Sequence, residues 1–411
     1  MKNVKWVAVM TVLLFFLSGC SKQDEQSSSI PQTTAAVTTT TMAPQKQVPV
    51  EVSEKTVRLL GRNVIEQSTG RAYYDWTCSG IEFEFIGTGV SAKLGTMPVY
   101  AMMEKKRPHI VAFVDGSEAP SANFTLSQET DEYILAQGLP EGRHTMRVLK
   151  ASAISYSGPF YADTLTITGS EPSVSPSQAK SRHIEFIGDS ITCGYGIDAP
   201  SASGDYNSAE EYGTLAYAYL TAEALDADAN ILSNSGNGVY CDLNGRQVNL
   251  MPDYYPYVNF KLQTDLGIQE KSVWDNGSFP ADVVVVHLGT NDANAVLNVS
   301  VPIGNRTPDF STRVQEFRDA YVDFVKTIRE KNPSAKIFCV LGGMPCNLFS
   351  EVQTAVSSYK DETGDKDIYT YEFQTSMYSV TNGIRAGHPS RQVHSLMQKE
   401  LTGQIRQVMN W

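Results

Sequence analysis

From about Glu51 to Ser175, apolar and polar residues alternate along short runs: Ile81-Glu82-Phe83-Glu84-Phe85, Val90-Ser91-Ala92-Lys93-Leu94, Ile110-Val111-Ala112-Phe113-Val114 and Thr164-Leu165-Thr166-Ile167. A period of two sends successive side chains to opposite faces, so each run reads as a half-buried strand. Turn formers separate the runs at Gly87-Thr88-Gly89, Asp115-Gly116 and Pro140-Glu141-Gly142, and no helical period intervenes. The pattern predicts an antiparallel β-sandwich over residues 51–175.

Beyond a Pro- and Ser-containing stretch, Glu171 to Lys180, read as a linker, the periodicity changes. Ile184 to Gly188, Ala281 to Gly289 with its four valines, and Lys336 to Gly342 are continuously apolar runs of strand length. Between and after them Ala209 to Leu225, Phe310 to Lys331 and Arg391 to Met409 carry helical spacing. Apolar strands alternating with helices predict a parallel sheet covered on both faces, an α/β domain over residues 181–411.

Two further segments precede the sandwich. Residues 21–50 are rich in Ser, Thr, Gln, Pro and Ala, with four threonines at Thr38 to Thr41, and read as an extended spacer without a core of its own. Residues 1–20 place Lys2 and Lys5 ahead of an apolar run ending in Leu17-Ser18-Gly19-Cys20, an export leader. The small residues before Cys20 match a bacterial lipobox, which makes Cys20 the lipidated first residue of the mature chain. A plain cleaved leader or a membrane span are the alternatives, although the apolar run is short for the roughly 20 residues a span needs. Two acyl chains on Cys20 would hold the protein at the outer face of the membrane.

Composition narrows the partners. Of 411 residues 41% are hydrophobic and 19% charged, enough to bury a sizeable core. The formal charge of −12 and the absence of any basic stripe exclude nucleic acid as a partner, since such binding relies on clustered Lys and Arg. A neutral glycan fits. With Cys20 set aside, Cys78, Cys193, Cys241, Cys339 and Cys346 lack the spacing of a zinc site, so no metal is expected. Export permits disulfides, and Cys193 with Cys241 is left open as a pair.

Four constellations carry chemistry. Ile184-Glu185-Phe186-Ile187-Gly188-Asp189-Ser190 runs from a buried strand into Gly-Asp-Ser, the place where ligands gather in an open α/β sheet. A Ser there is equally a helix cap. Val283 to Asp292 opens another buried strand into Gly289-Thr290-Asn291-Asp292, where the Asn291 amide can donate to an oxyanion or merely bond its own turn. Asn234-Ser235-Gly236-Asn237-Gly238 offers glycines that let a backbone approach a ligand. Gly387-His388-Pro389-Ser390, ahead of the closing helix, supplies an imidazole suited to general base catalysis.

In this order, the four blocks resemble those of the SGNH, or GDSL-like, hydrolases over about Arg182 to Trp411. The preceding β-domain narrows the resemblance to carbohydrate esterase family 2, which joins a jelly roll to an SGNH domain and removes O-acetyl groups from plant polysaccharides. Ser235-Gly236-Asn237-Gly238-Val239, Met251-Pro252-Asp253-Tyr254-Tyr255, Trp274 and the stretch Pro280 to Val284 look like that family too. The resemblance implies a jelly-roll sandwich followed by a flavodoxin-like three-layer domain. It implies Ser190 as nucleophile and His388 as base, with His394 as the alternative. The oxyanion would be held by the backbone N–H groups of Ser190 and Gly236, with Gly238 the rival of Gly236, and by the side chain of Asn291. No cofactor is implied.

Many relatives of this kind carry an Asp two or three residues before the histidine, where this chain has Ala386 and Arg385. Some members of family 2 lack it and work as a Ser-His dyad; the expectation here is a dyad with Asn382 or a local backbone carbonyl orienting His388. Tyr254, Tyr255, Tyr257 and Phe260 form the densest aromatic cluster, readable as a sugar platform or, more economically, as core. The functional expectation is deacetylation of xylan or glucomannan at the cell surface. The alternatives are an inactive carbohydrate-binding lipoprotein and an esterase for another acetylated glycan such as peptidoglycan.

Overall fold

A computed structural model describes residues 44–345, 347–374 and 383–411. The leader with Cys20, most of the spacer, Cys346 and Asn382 lie outside the described residues.

The first half is a sandwich of two antiparallel sheets. One runs Val64–Ile65, Ala72–Tyr74, Phe160–Gly169, Gly89–Thr96, Thr130–Ala136, and Lys46–Glu51 also pairs with Phe160–Gly169. The other runs Ser173–Pro176, Gly80–Gly87, Gly142–Lys150, His109–Val114, Ala122–Thr125, and Arg58–Leu60 also pairs with Gly80–Gly87. Ile81, Phe83, Phe85, Val90, Ala92, Leu94, Ile110 and Ala112 are buried at alternating positions, the inward faces expected from their period. Both ends of the sandwich extend past the sequence expectation. Lys46–Glu51 is a strand where the spacer was expected to continue to Val50, because Val48 and Val50 alternate across Pro49 on a peripheral strand. Ser173–Pro176, inside the expected linker, pairs with Gly80–Gly87.

The second half carries five parallel strands in the order Asp228–Ser233, His183–Gly188, Val283–His287, Lys336–Leu341, Ile368–Glu372. This is a flavodoxin-like order, and it reverses direction between His183–Gly188 and Val283–His287. Helices Tyr217–Ala224 and Arg391–Met409 pack with one another, as do Phe310–Lys331 and Phe349–Thr363. All four valines of Val283–Val286 are fully buried. Only Tyr217–Ala224 of the expected helix Ala209 to Leu225 is α-helical; Ser208–Glu210 and Gly213–Leu215 are single 3₁₀ turns. At Gly213 the backbone N–H donates to Ala151 O of the sandwich at 2.7 Å instead of continuing a helix, in an approach so close that a Cβ there would sit 2.2 Å from Thr77 Cγ2.

Side chains of the sandwich are built into the second half. Arg62 pairs with Glu185, Arg58 with Asp228 and Arg147 with Glu223. Trp76, fully buried, donates its indole N–H to Val258 O at 2.8 Å and packs in the same core as Ile187, Leu232 and Val286. The reactive strand ends therefore stand on a scaffold to which both halves contribute.

Candidate active site

The turn after His183–Gly188 is sterically exact in its demands. A Cβ on Gly188 would lie 2.0 Å from Thr192 Oγ1, so only glycine lets the chain fold directly into the short helix Ser190–Cys193. Asp189 caps that helix, its Oδ1 accepting the Ile191 N–H at 3.0 Å, and Ser190 is its first residue. The first-turn N–H groups of a helix have no intrahelical acceptor, and they lie beside the Ser190 hydroxyl.

His388 reaches this hydroxyl from 198 residues away. Its Nε2 is 2.8 Å from Ser190 Oγ and its Nδ1 is 2.8 Å from the backbone oxygen of Arg385. A carbonyl can only accept, so Nδ1 carries the proton, Nε2 is the acceptor, and Ser190 Oγ–H donates to it. Among the described residues no carboxylate lies within hydrogen-bond reach of His388. Burial lowers the His388 pKa, opposed in part by the Arg385 carbonyl.

His394, the alternative base, is buried elsewhere. Its Nδ1 accepts the Tyr217 backbone N–H at 3.1 Å, and desolvation, with smaller contributions from His388 and His287, drives its pKa down to about 3. It is a neutral packing residue at the helix interface. His287, a further histidine near this region, is likewise enclosed: burial lowers it to about 4, and it bridges the Tyr217 hydroxyl and Gly342 O at 3.0 Å each.

Asn291 ties the blocks together. Its Nδ2 donates to Asp189 Oδ2 at 3.0 Å and to Asn237 O at 2.9 Å, which occupies both amide protons. Asp292, fully buried, accepts the backbone N–H groups of Val239, Tyr240 and Cys241 at 2.8–3.1 Å through Oδ1. Desolvation raises the pKa of both Asp189 and Asp292, each opposed by backbone donors. Gly238 is where this loop meets Asp292: a Cβ there would lie 2.3 Å from Asp292 Oδ2. Gly236 differs in having a left-handed φ of +84° and only Leu243 Cδ2 within 4 Å of an added Cβ. The loop is also braced from the sandwich, where Ser155 Oγ accepts the Ser235 N–H at 2.6 Å and donates to Asn234 Oδ1 at 2.6 Å.

The expected aromatic cluster turns out to be core. Tyr254 and Tyr255 are buried, Tyr254 against Trp76 and Tyr255 against Phe324, and the Tyr255 hydroxyl donates to Glu185 Oε2 at 3.0 Å. A different set flanks His388. The Tyr195 ring centroid is 4.8 Å from that of His388, Tyr206 lies beside Tyr195 at 6.2 Å, and Tyr156 from the sandwich packs on Tyr206 at 4.9 Å. Tyr156 is 40% exposed. Sequence reasoning missed these three because they are scattered over fifty residues and two domains. Cys193 and Cys241 are both free and buried, so the disulfide left open between them does not form. Among the described residues no cluster of His, Cys, Asp and Glu is placed to hold a metal. Two cavities of about 410 and 440 Å³ are lined by Arg147, Tyr219 and Glu223, away from Ser190 and His388.

Residues 186–365 match the GDSL-like Lipase/Acylhydrolase family, and residues 59–169 match Carbohydrate esterase 2 N-terminal. The chain is 29% identical over 340 residues, 82% of its length, to a cellulase/esterase CelE of Acetivibrio thermocellus, of which it spans only 38%. It is 26% identical over 365 residues to an acetylxylan esterase / glucomannan deacetylase of Cellvibrio japonicus, covering 88% of this chain and 91% of the other. The structure of a family two carbohydrate esterase from Clostridium thermocellum in complex with cellohexaose superposes with a TM-score of 0.72 at 28% identity, covering 86% of this chain and 99% of that one.

Proposed function

This chain belongs to carbohydrate esterase family 2, and on that premise we propose that it is a carboxylic ester hydrolase removing O-acetyl groups from a plant cell-wall polysaccharide, xylan or glucomannan. The observation that carries this reading is His388 held between two oxygens, Ser190 Oγ and Arg385 O, at 2.8 Å each.

In the proposed reaction His388 Nε2 takes the proton of Ser190 Oγ as that oxygen attacks the acetyl carbonyl. The negative charge passes to the carbonyl oxygen, held by the N–H groups of Ser190 and Gly236. Asn291 joins them by sharing one of its two amide protons, now on Asp189 and Asn237. The imidazolium is steadied by its Nδ1–H bond to Arg385 O and gives its proton to the leaving sugar oxygen. The acetyl group stays on Ser190 until a water, deprotonated by the same His388, attacks it; acetate leaves as His388 returns that proton to Ser190 Oγ. No carboxylate takes part: the dyad uses a neutral carbonyl where a triad uses Asp.

The substrate class rests on what the relatives are named for, acetylxylan and glucomannan, and on the tyrosine wall beside His388, whose faces offer apolar area and edge hydroxyls to a pyranose ring. The Ser190–His388 hydrogen bond favours catalysis over an inactive binding role, since a binding surface has no need of a hydroxyl bonded to an imidazole. The jelly-roll domain, which takes in Lys46–Glu51 and Ser173–Pro176 at its ends, precedes a catalytic domain over 181–411, with the leader 1–20 and a spacer from residue 21 ahead of it. The enzyme works outside the cell, anchored through a lipid on Cys20. Among the described residues no helix is long and apolar enough to cross a membrane.

The test is turnover of p-nitrophenyl acetate and acetate release from acetylated xylan, glucomannan and peptidoglycan. Ser190→Ala and His388→Ala should each cost at least about 10³-fold in kcat; ester hydrolysis that survives either change overturns the assignment. A Cys20→Ser variant that stays with the membrane fraction overturns the anchor.

A further inference from the structure

The carbonyl that faces His388 belongs to a residue whose own side chain is held in an unusual grip. Arg385 is 5% exposed. Its guanidinium donates to the Ser203 backbone oxygen and to the Glu210 carboxylate, both on the segment that follows the nucleophile helix. That segment gives up side chains to admit it. A Cβ on Gly196 would lie 2.2 Å from Arg385 Cβ, and one on Gly204 would lie 2.3 Å from an Arg385 terminal nitrogen. The next residue, Ala386, donates its N–H to Ala202 O at 2.9 Å.

The backbone at this point needs holding. Ala386 has φ +52° and Gly387 φ +78°, and the left-handed region costs an alanine about 1–2 kcal/mol. Those two residues turn the chain so that Arg385 O accepts both the His388 backbone N–H at 3.0 Å and its Nδ1–H at 2.8 Å. Tyr195, at the start of the same gripping segment, packs its ring on the imidazole.

We infer that Arg385 is a positioning residue: its buried guanidinium, clamped by Glu210 and Ser203 O, fixes the direction of its own main-chain carbonyl, and that carbonyl orients His388 toward Ser190. This rests on the Ser190–His388 reading. The arginine then does by anchorage what the carboxylate of a triad does by direct contact, and the segment 195–210 becomes part of the reactive centre without touching substrate.

The experiment compares Arg385→Ala, Arg385→Lys and Glu210→Gln, with His388→Ala as control, in the full chain. For p-nitrophenyl acetate Arg385→Ala should lower kcat by about 10–100-fold, the size of effect a misplaced reacting group produces, with KM within about twofold. The rate of covalent labelling of Ser190 by an organophosphate should fall in parallel, because it uses the same base and no sugar contacts. Lysine keeps the charge on Glu210 and should recover part of the loss. Glu210→Gln, which leaves the arginine in place but weakens its clamp, should fall between Arg385→Ala and the unaltered protein. The downfield proton resonance of His388 Nδ1–H should shift or vanish in Arg385→Ala, a change that loss of stability alone does not produce in a folded variant. The inference is overturned if folded Arg385→Ala, or Glu210→Gln where the former does not fold, keeps kcat and labelling rate within threefold while His388→Ala abolishes both. If His388→Ala leaves activity intact, it is the dyad itself that fails.

Discussion

Arg62 of the sandwich and Glu185 of the catalytic sheet form an ion pair at 3.0 Å with side-chain exposures of 0% and 1%. Other polar atoms there are engaged too: Glu185 accepts from Asn230 Nδ2 at 2.9 Å and from the Tyr255 hydroxyl at 3.0 Å, and Arg62 donates to Tyr255 O and Tyr257 O, while Arg62 Nε is left without a partner. Glu185 stands five residues before Ser190 on the strand that leads into it. The pair thus couples the placement of Ser190 to the presence of the sandwich.

Removing one charge of such a pair leaves the other buried and uncompensated, which costs about 3–5 kcal/mol. Arg62→Met should lower the stability of the whole chain by that amount, read from the urea midpoint. Arg62→Met with Glu185→Met should recover most of it, because two apolar groups leave no orphan charge. A midpoint that moves by less than about 1 kcal/mol equivalent in the single variant, the scale of an exposed pair, would mean that the two halves do not depend on each other in this way.

The acid limb of kcat/KM reports the base in free enzyme. His388 acts only when neutral, and burial lowers its pKa from 6.5. A depressed pKa keeps the ring neutral at lower pH, so the limb should have its midpoint below 6.5. At pH 6 an unshifted imidazole would be only about a quarter neutral, and this enzyme should hold a larger share of its plateau rate than that. A p-nitrophenyl acetate profile with a midpoint at or above 6.5 would contradict a buried His388 as the titrating group.

Asp292 gathers three backbone N–H groups of the loop that carries Gly236. Asp292→Ala removes their acceptor, and an unpaired buried donor costs about 1–3 kcal/mol; the loop should shift and kcat should fall about 10–100-fold with little change in KM. Asp292→Asn keeps an acceptor oxygen at Oδ1 and should retain far more activity. Equal losses in the two variants would place the importance of Asp292 in its charge rather than in its hydrogen bonds.

Much of this was legible in the residues. The period of two along Ile81 to Phe85 gave its strand, and the valines 283–286 gave theirs, because each pattern reports a face that must be buried. That Ser190 and His388 meet, at 2.8 Å, was foreseeable because both were singled out by chemistry and by place, Ser190 at a strand end and His388 ahead of the closing helix. What the sequence hid depends on contacts distant in the chain. Tyr254 and Tyr255 were readable as core or as a sugar platform, and what decides for core is Trp76, some 180 residues earlier, which packs against Tyr254. The helix expected from Ala209 is interrupted where Gly213 N–H donates to Ala151 O of the sandwich, a long-range bond that no local propensity records. The missing carboxylate was visible as Ala386 and Arg385, but the carbonyl that replaces it has no side chain to announce it.

On the proposed function, Tyr156, Tyr195 and Tyr206 would meet the polymer while Ser190 and His388 carry the chemistry. Tyr156 is 40% exposed, comes from the sandwich, and packs on Tyr206, whose hydroxyl is fixed by Glu211 Oε2 at 2.8 Å. It touches neither Ser190 nor His388. An aromatic face that stacks on a sugar contributes about 0.5–1.5 kcal/mol beyond area, so Tyr156→Ala should raise KM for acetylated xylan or glucomannan about 2–10-fold. The same variant should leave kcat/KM for p-nitrophenyl acetate within about twofold, since that ester presents no pyranose ring, and Tyr156→Phe should behave nearly as the unaltered protein. Parallel losses on both substrates would show that Tyr156 supports the loop around Ser155 instead. No loss on either would remove the tyrosine wall from the polysaccharide path.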